Sequence, residues 1–238
     1  MVNAHVRTPS AWARNASRDT SCEMVLDPKG MVHYMDSFEA MGSAMSMRWL
    51  SSEPVSEEHI ERLVWAATRA SNPGNSQLWD FVVVRDASTR AQLAGLISEG
   101  HRSRPPRPAL EVQSGPQDSG VTLAMQSGVD HLMDSLADVP IMVFICGTNA
   151  FPPDAPNEEM MLSAVHGAAQ NLMVAARAMG LGAAYTTFHR RSEPAIKELL
   201  GIPDHVTMCV TIPVGWPTRQ FVELKRRPVK EVMHYDHW

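Results

Sequence analysis

The chain has 238 residues, 44% hydrophobic and 20% charged, with a formal net charge of -5. These are the proportions of one globular domain large enough to bury a sizeable core, and they argue against a disordered or fibrous chain. The acidic balance gives no electrostatic case for nucleic acid, and no apolar run approaches the about 20 residues that a membrane-spanning helix needs.

Residues 1–37 carry Arg7, Arg14 and Arg18 among scattered Ser and Thr, with no sustained hydrophobic period. Asp19, Glu23 and Asp27 speak against an organellar transit peptide, and a secretory apolar stretch is lacking. The segment reads as a flexible leader to a cytoplasmic domain spanning 38–238. A short helix is predicted over 38–50, with Ser46 and Arg48 near its end. The next helix runs from Ser56 to Ala70, with Ile60, Leu63, Val64 and Ala67 at helical spacing. Ser56 is its expected N-cap, Glu57 and Glu58 complement the dipole, and Val55 is placed to staple onto Ile60.

Phe81-Val82-Val83-Val84 predicts a buried strand, and 86–97 a helix. Residues 102–120 then break all periodicity with Pro105, Pro106, Pro108, Gly115 and Pro116. A loop of that length inside a compact domain is functional or disordered. A helix over 123–137 and a buried strand over 141–146 follow. Residues 158–179 form the longest predicted helix, about six turns, apolar on most faces and so destined for a central position or a subunit interface. A strand over 183–187, a helix over 192–200 between Ser192 as N-cap and Gly201 as stop, and a core strand over 206–214 complete the domain. The polar tail from 215 to 238 reads as an arm that crosses to something else. Cys22, Cys146 and Cys209 are widely spaced, and the last two sit in strand-like runs, as buried free thiols do.

The chain is organised around Ser71-Asn72-Pro73-Gly74-Asn75-Ser76-Gln77-Leu78-Trp79, a polar turn wedged between an apolar helix and an apolar strand. Asn72-Pro73-Gly74 is a strong turn signal, and Asn72, Asn75 and Gln77 bring three uncharged amides into a short span. Amides suit the edge of a heteroaromatic ring or a sugar chain better than a phosphate or a metal. Read alone, the stretch is equally a satisfied turn that caps a helix. The chain lacks Gly-x-Ser-x-Gly, His-Glu-x-x-His, Walker and Gly-x-Gly-x-x-Gly motifs, so triad hydrolysis, zinc peptidase chemistry and P-loop transfer have no support. Its ten histidines are dispersed, and no metal site is expected.

Helix, Ser/Pro-rich turn with Asn-x-Gln, then Trp-x-Phe-Val-Val-Val resembles the flavin-binding turn of the nitroreductase family of FMN-dependent oxidoreductases. The resemblance extends, in the family's order, to Ser46-Met47-Arg48, Glu53-Pro54-Val55, Ala168-Ala169-Gln170-Asn171-Leu172, Ala178-Met179-Gly180-Leu181-Gly182, Leu199-Leu200-Gly201-Ile202-Pro203 and Arg226-Arg227-Pro228-Val229. It implies an α+β nitroreductase-like fold, a mixed central β-sheet wrapped by helices, in a domain-interlocked homodimer with FMN sites at the interface. It also implies a ping-pong reaction in which NAD(P)H reduces FMN and a nitroaromatic or quinone is then reduced in the same pocket.

By position in that family, Ser46 is a cofactor-binding residue, and Arg48 and Arg226 fall at the FMN phosphate, where a guanidinium fork matches the oxygens. Lys225 and Arg227 are neighbours able to stand in for Arg226, and each arginine taken alone is more often a solvated surface residue. Asn75 and Gln77 fall at the ring and ribityl chain, with Ser71, Asn72 and Pro73 supplying backbone and shape. Thr186 and Thr187 lie where a backbone donor faces flavin N5 and stabilises charge on the reduced ring, with Thr187 the catalytic candidate. The 102–120 loop corresponds to a lid that sets which acceptor fits. Ala44 and Met45 depart from the pattern, standing where the family often has further basic residues. Related members remove halogen from aromatic substrates, fragment the flavin or oxidise peptides, and a flavin-sequestering or regulatory protein without nicotinamide turnover fits the same motifs.

Overall fold

The computed structural model describes residues 35–103 and 119–238. Nearly all of the expected leader, Cys22 and most of the 102–120 loop lie outside those residues. Within 36–238, four strands form one sheet: β1 (Trp79–Val84), β2 (Ile141–Thr148), β3 (Gly182–Ala183) and β4 (Val206–Gly215), in the order β1-β2-β4-β3. All pairings between these strands are antiparallel, and the mixed character expected of the sheet is confined to one parallel bridge, Ser46 to Ala183.

Six helices cover the sheet: α1 (Ser37–Ser43), α2 (Glu57–Ala67), α3 (Ala87–Arg102), α4 (Ser119–Ser135), α5 (Glu158–Ala178) and α6 (Glu193–Leu200). Because strand side chains alternate, β2 feeds two cores. Ile141, Val143 and Ile145 pack with Leu63 of α2 and Leu172 of α5, whereas Met142, Phe144 and Cys146 pack with Leu93 of α3, Leu132 of α4 and Ile196 of α6. Between Ile145, opposite Val210, and Cys146, opposite Met208, Cys209 is the extra residue of a bulge. It therefore joins the α2/α5 core while Cys146 joins the other. Both thiols are free, and burial pushes Cys146 up to about 12 and Cys209 up to about 11.

Helix α5 is the central helix that its composition requires. Ala164, Ala168, Ala169 and Ala176 are all buried, which lets sheet and α2 approach closely, and Asn171 Nδ2 donates to Ala66 O at 3.2 Å. Ser56 caps α2 by accepting from His59 N at 3.4 Å, and Val55 and Ile60 share one cluster as a staple would. Gly201 ends α6 at a φ of 65°.

The strand expected over 183–187 is only Gly182–Ala183, with Thr186 joined to Thr211 by an isolated bridge, and two further expectations are corrected. The first helix stops at Ser43, so Ser46 and Arg48 stand on an extended segment rather than near a helix end. Met47 N donates to Ala183 O at 2.9 Å and Ser51 N to Trp216 O at 2.8 Å, which lays the segment along the sheet edge. Gly182 permits that approach, because a Cβ there would stand 2.6 Å from Leu50 Cδ2 and 2.7 Å from Met47 Cγ. Ser192 does precede α6, but its hydroxyl makes no cap; it donates to Leu96 O of α3 at 2.7 Å, a tertiary tie that outcompetes the local one.

Candidate functional site

Four segments far apart in sequence supply the candidate residues, and α5 links three of them. Ser46 Oγ accepts from Tyr185 N at 3.3 Å, and Tyr185 Oη lies 2.6 Å from His166 Nδ1 on α5. One residue on, a Cβ built on Gly167 would stand 3.5 Å from Ala70 Cβ and 3.8 Å from Ser71 O. Tyr185, which holds Ser46, and the start of the 71–77 turn thus meet α5 at consecutive residues, His166 and Gly167.

Arg48 is half-buried, and burial alone lowers its pKa. Its stem is pinned by α4, where a Cβ on Gly128 would lie 3.2 Å from Arg48 Cδ and 3.0 Å from the Trp49 ring. Trp49 is in turn stacked on His131, ring centroids 5.5 Å apart, and covered by the Arg219 guanidinium at 3.7 Å. Arg48 Nε is buried with no hydrogen-bond partner among the described residues. An unmet donor of this kind is costly, and an anion such as a phosphate would satisfy it.

Arg226 is exposed and donates to its neighbour's carbonyl, Lys225 O, at 3.0 Å. The arm that carries it is fastened at Leu224, whose N–H donates to Gly42 O at 2.8 Å, close to the start of the Ser46 segment. Two cations that the sequence reading missed lie at this end. Arg177 Nε donates to Ser43 Oγ at 2.8 Å and its guanidinium covers Phe221 at 4.3 Å, while Arg219 lies over Trp49. The segment that carries Ala44 and Met45 is thus flanked by a cation from α5 at Ser43 and one from the arm at Trp49.

The turn is built as its chemistry requires. Residues Pro73–Asn75 form a single 3-10 turn, and three left-handed residues follow one another closely: Gly74 at a φ of 58°, Asn75 at 51° and Gln77 at 51°. Non-glycine residues in that region carry strain, which concentrates at binding sites. Asn72 is consumed internally, Oδ1 accepting from Gln77 N at 2.9 Å and Nδ2 donating to Ala70 O at 3.5 Å. Asn75 and Gln77 remain exposed, while Pro73 is half-buried beneath them.

Thr186 and Thr187 differ sharply. Thr186 is buried and exchanges both backbone bonds with Thr211, and its Oγ1 donates to Thr211 O at 2.9 Å, so its backbone N–H has no capacity left for a ligand. Thr187 is half-buried, its carbonyl accepts from Arg190 N at 3.3 Å, and its own N–H has no bond among the described residues. Behind it His189 is fully buried, with Nε2 3.0 Å from Met208 O and Nδ1 2.7 Å from Thr211 Oγ1. Burial, with the Arg190 charge, lowers the His189 pKa against the opposing pull of the Met208 bond and Glu193. In the unfolded chain the group titrates at about 6.5. Its contribution to stability is thus intact above that value and is lost as the pH falls toward the depressed folded value. Urea midpoints should decline below about pH 6.5 in the native sequence, and less steeply in His189→Gln; equal slopes would refute a neutral buried imidazole.

The nitroreductase family profile matches residues 43–216. The chain belongs to the nitroreductase family. An Archaeoglobus fulgidus relative, provisionally described as an NADH dehydrogenase/NAD(P)H nitroreductase, is 25% identical over 197 residues, covering 81% of this chain and 93% of its own. Iodotyrosine deiodinase 1 of Rattus norvegicus is 26% identical over 204 residues, covering 82% and 68%. Among solved structures, a Desulfitobacterium hafniense nitroreductase with bound FMN superposes with a TM-score of 0.62 at 16% identity, over 85% of this chain and all of that one. This nitroreductase-family chain has no cluster of metal-ligating side chains among the described residues, and no helix among them is long and apolar enough to cross a membrane.

Proposed function

We propose that this nitroreductase is an FMN-dependent oxidoreductase that uses NAD(P)H to reduce nitroaromatics, quinones or similar electron-poor acceptors, donor and acceptor taking turns in one pocket. Arg48 Nε, buried without a hydrogen-bond partner among the described residues, carries the reading. FMN, when bound, accepts a hydride from the nicotinamide and passes it on. The protein's part is to bind and orient. Ser46, Arg48 and Arg226 hold the phosphate, Ser71, Asn72 and Pro73 shape the turn, Asn75 and Gln77 meet the ring and ribityl chain, and Thr187 presents its N–H to N5. Thr186 supports Thr187 from the sheet. The FMN held by a solved nitroreductase of this fold, and the NAD(P)H in the archaeal relative's name, support the assignment. A cytoplasmic setting, where nicotinamide is supplied, goes with it.

The working form is a homodimer. Phe38 and Met41 of α1 are exposed, and the arm displays Val222, Val229, Val232, Tyr235 and Trp238, with Val229 68% and Tyr235 79% exposed. Apolar side chains gathered on a projecting arm mark a surface that another chain covers. Residues 38–238 are the flavin domain in this reading.

An absorbance spectrum tests it directly. Purified protein should be yellow, bleach anaerobically with NADPH or NADH, and recover its colour when a nitroaromatic or quinone is added. Colourless protein that takes up no added FMN would refute the cofactor. Reductive dehalogenation is the second reading, favoured by the deiodinase relative, and release of iodide from an iodophenol by dithionite-reduced protein would select it.

A further inference from the structure

We propose that His189 is a positioning residue, which acts through Thr211 to hold the Thr187 N–H toward the flavin. The inference rests on the site reading above. Met208 O can only accept, so His189 Nε2 carries the proton, and Nδ1 at 2.7 Å must accept from the Thr211 hydroxyl.

Thr211 is also the residue to which Thr186 is tied three times, through both backbone bonds and through Thr186 Oγ1. The chain is therefore clamped to β4 at 186 and again at 189, and only Thr187 and Phe188 lie between. Phe188 is itself packed edge-on against His101 at 5.0 Å. With both neighbours fixed, Thr187 is held at φ -128° and ψ 28°, at the head of a 3-10 turn with no side-chain cap. In that posture its N–H has no partner among the described residues. A donor fixed in this way needs no reorganisation when charge develops on the ring before it, which is where a preorganised dipole has its effect.

Full burial of an imidazole with both nitrogens satisfied is also what a purely structural residue shows. The two roles separate in the potential of the bound flavin. Thr211→Val removes the hydroxyl at nearly constant volume, and His189→Gln keeps a donor for Met208 O while losing the Nδ1 acceptor. His189→Asn keeps an acceptor in the Nδ1 position. The measurements are the flavin midpoint potential of each holoprotein and amide hydrogen exchange at 186–189 in the flavin-free protein.

Thr211→Val and His189→Gln should each lower the affinity for reduced relative to oxidised FMN about tenfold, a fall of about 30 mV for a two-electron couple, with faster exchange at Thr187. His189→Asn should retain the native potential. Unmoved potentials in Thr211→Val and His189→Gln, whatever happens to their melting temperatures, would overturn the inference, and Thr211→Val decides alone if the histidine variants fail to fold. Native protein that takes up no FMN would instead overturn the site reading.

Discussion

Arg48→Ala should bind FMN about 10- to 100-fold more weakly than the native chain, the loss expected when a charge-assisted bond to an anion is removed. Its effect on the flavin-free protein should have the opposite sign. Arg48 Nε is buried with no partner among the described residues, so deleting it removes an unmet donor, and the melting temperature of the flavin-free variant should stay level or rise. Arg48→Lys should fall between, because an ammonium restores charge without the fork that matches two oxygens. Fluorescence titration of FMN, paired with melts of loaded and unloaded protein, checks both signs. Native FMN affinity in Arg48→Ala would remove Arg48 from the site.

Gly74→Val should damage both fold and cofactor binding. Gly74 has a φ of 58°, where an L side chain costs about 1–2 kcal/mol. A Cβ there would also stand 2.4 Å from Phe151 Cζ, and forcing such an overlap apart adds about 1–3 kcal/mol. Together the variant should lose about 2–5 kcal/mol by urea denaturation. Any chain that does fold must move the turn, and Asn75 and Gln77 move with it, so FMN affinity should fall as well. Gly42→Ala is the control. A Cβ at Gly42 meets nothing within 4 Å in α1, where Ala is favoured over Gly by up to about 1 kcal/mol, so stability should hold or rise slightly and FMN affinity should be unchanged. Equal behaviour of the two variants would show that the turn is not conformationally demanding.

Legibility followed the range of the interactions. The α2 spacing, the Ser56 cap, the apolar run of β2 and the Gly201 stop are local signals, and each appears in the fold where the residues place it. Ser46 to Arg48 was misread because the bonds that extend it come from Ala183 and Trp216, more than a hundred residues away, and no local pattern announces them. His189 was invisible for the same reason. Its partners, Met208 and Thr211, lie 19 and 22 residues on, and a lone histidine after two threonines carries no periodicity. Arg177 was hidden because a cation in the last turn of a helix already has a sufficient explanation in the dipole, and Arg219 because its partner, the Trp49 ring, is far away in sequence. The 71–77 turn was legible because Asn-Pro-Gly is a backbone instruction. Which of its amides stayed available was not, because Asn72 is spent on Gln77 N and Ala70 O.

The arm leaves the body of the protein from the strip of chain that carries Arg48. Thr218 N is bonded to Trp49 O at 3.0 Å, Arg219 covers the Trp49 ring, and Leu224 is held at Gly42. If a second copy gathers in that arm, mass action makes cofactor occupancy and self-association a single thermodynamic cycle. Each molecule of FMN bound then tightens the pair by the same factor that pairing tightens FMN. A dilute sample would shed flavin and fall apart together, so its colour would record protein concentration as well as redox state.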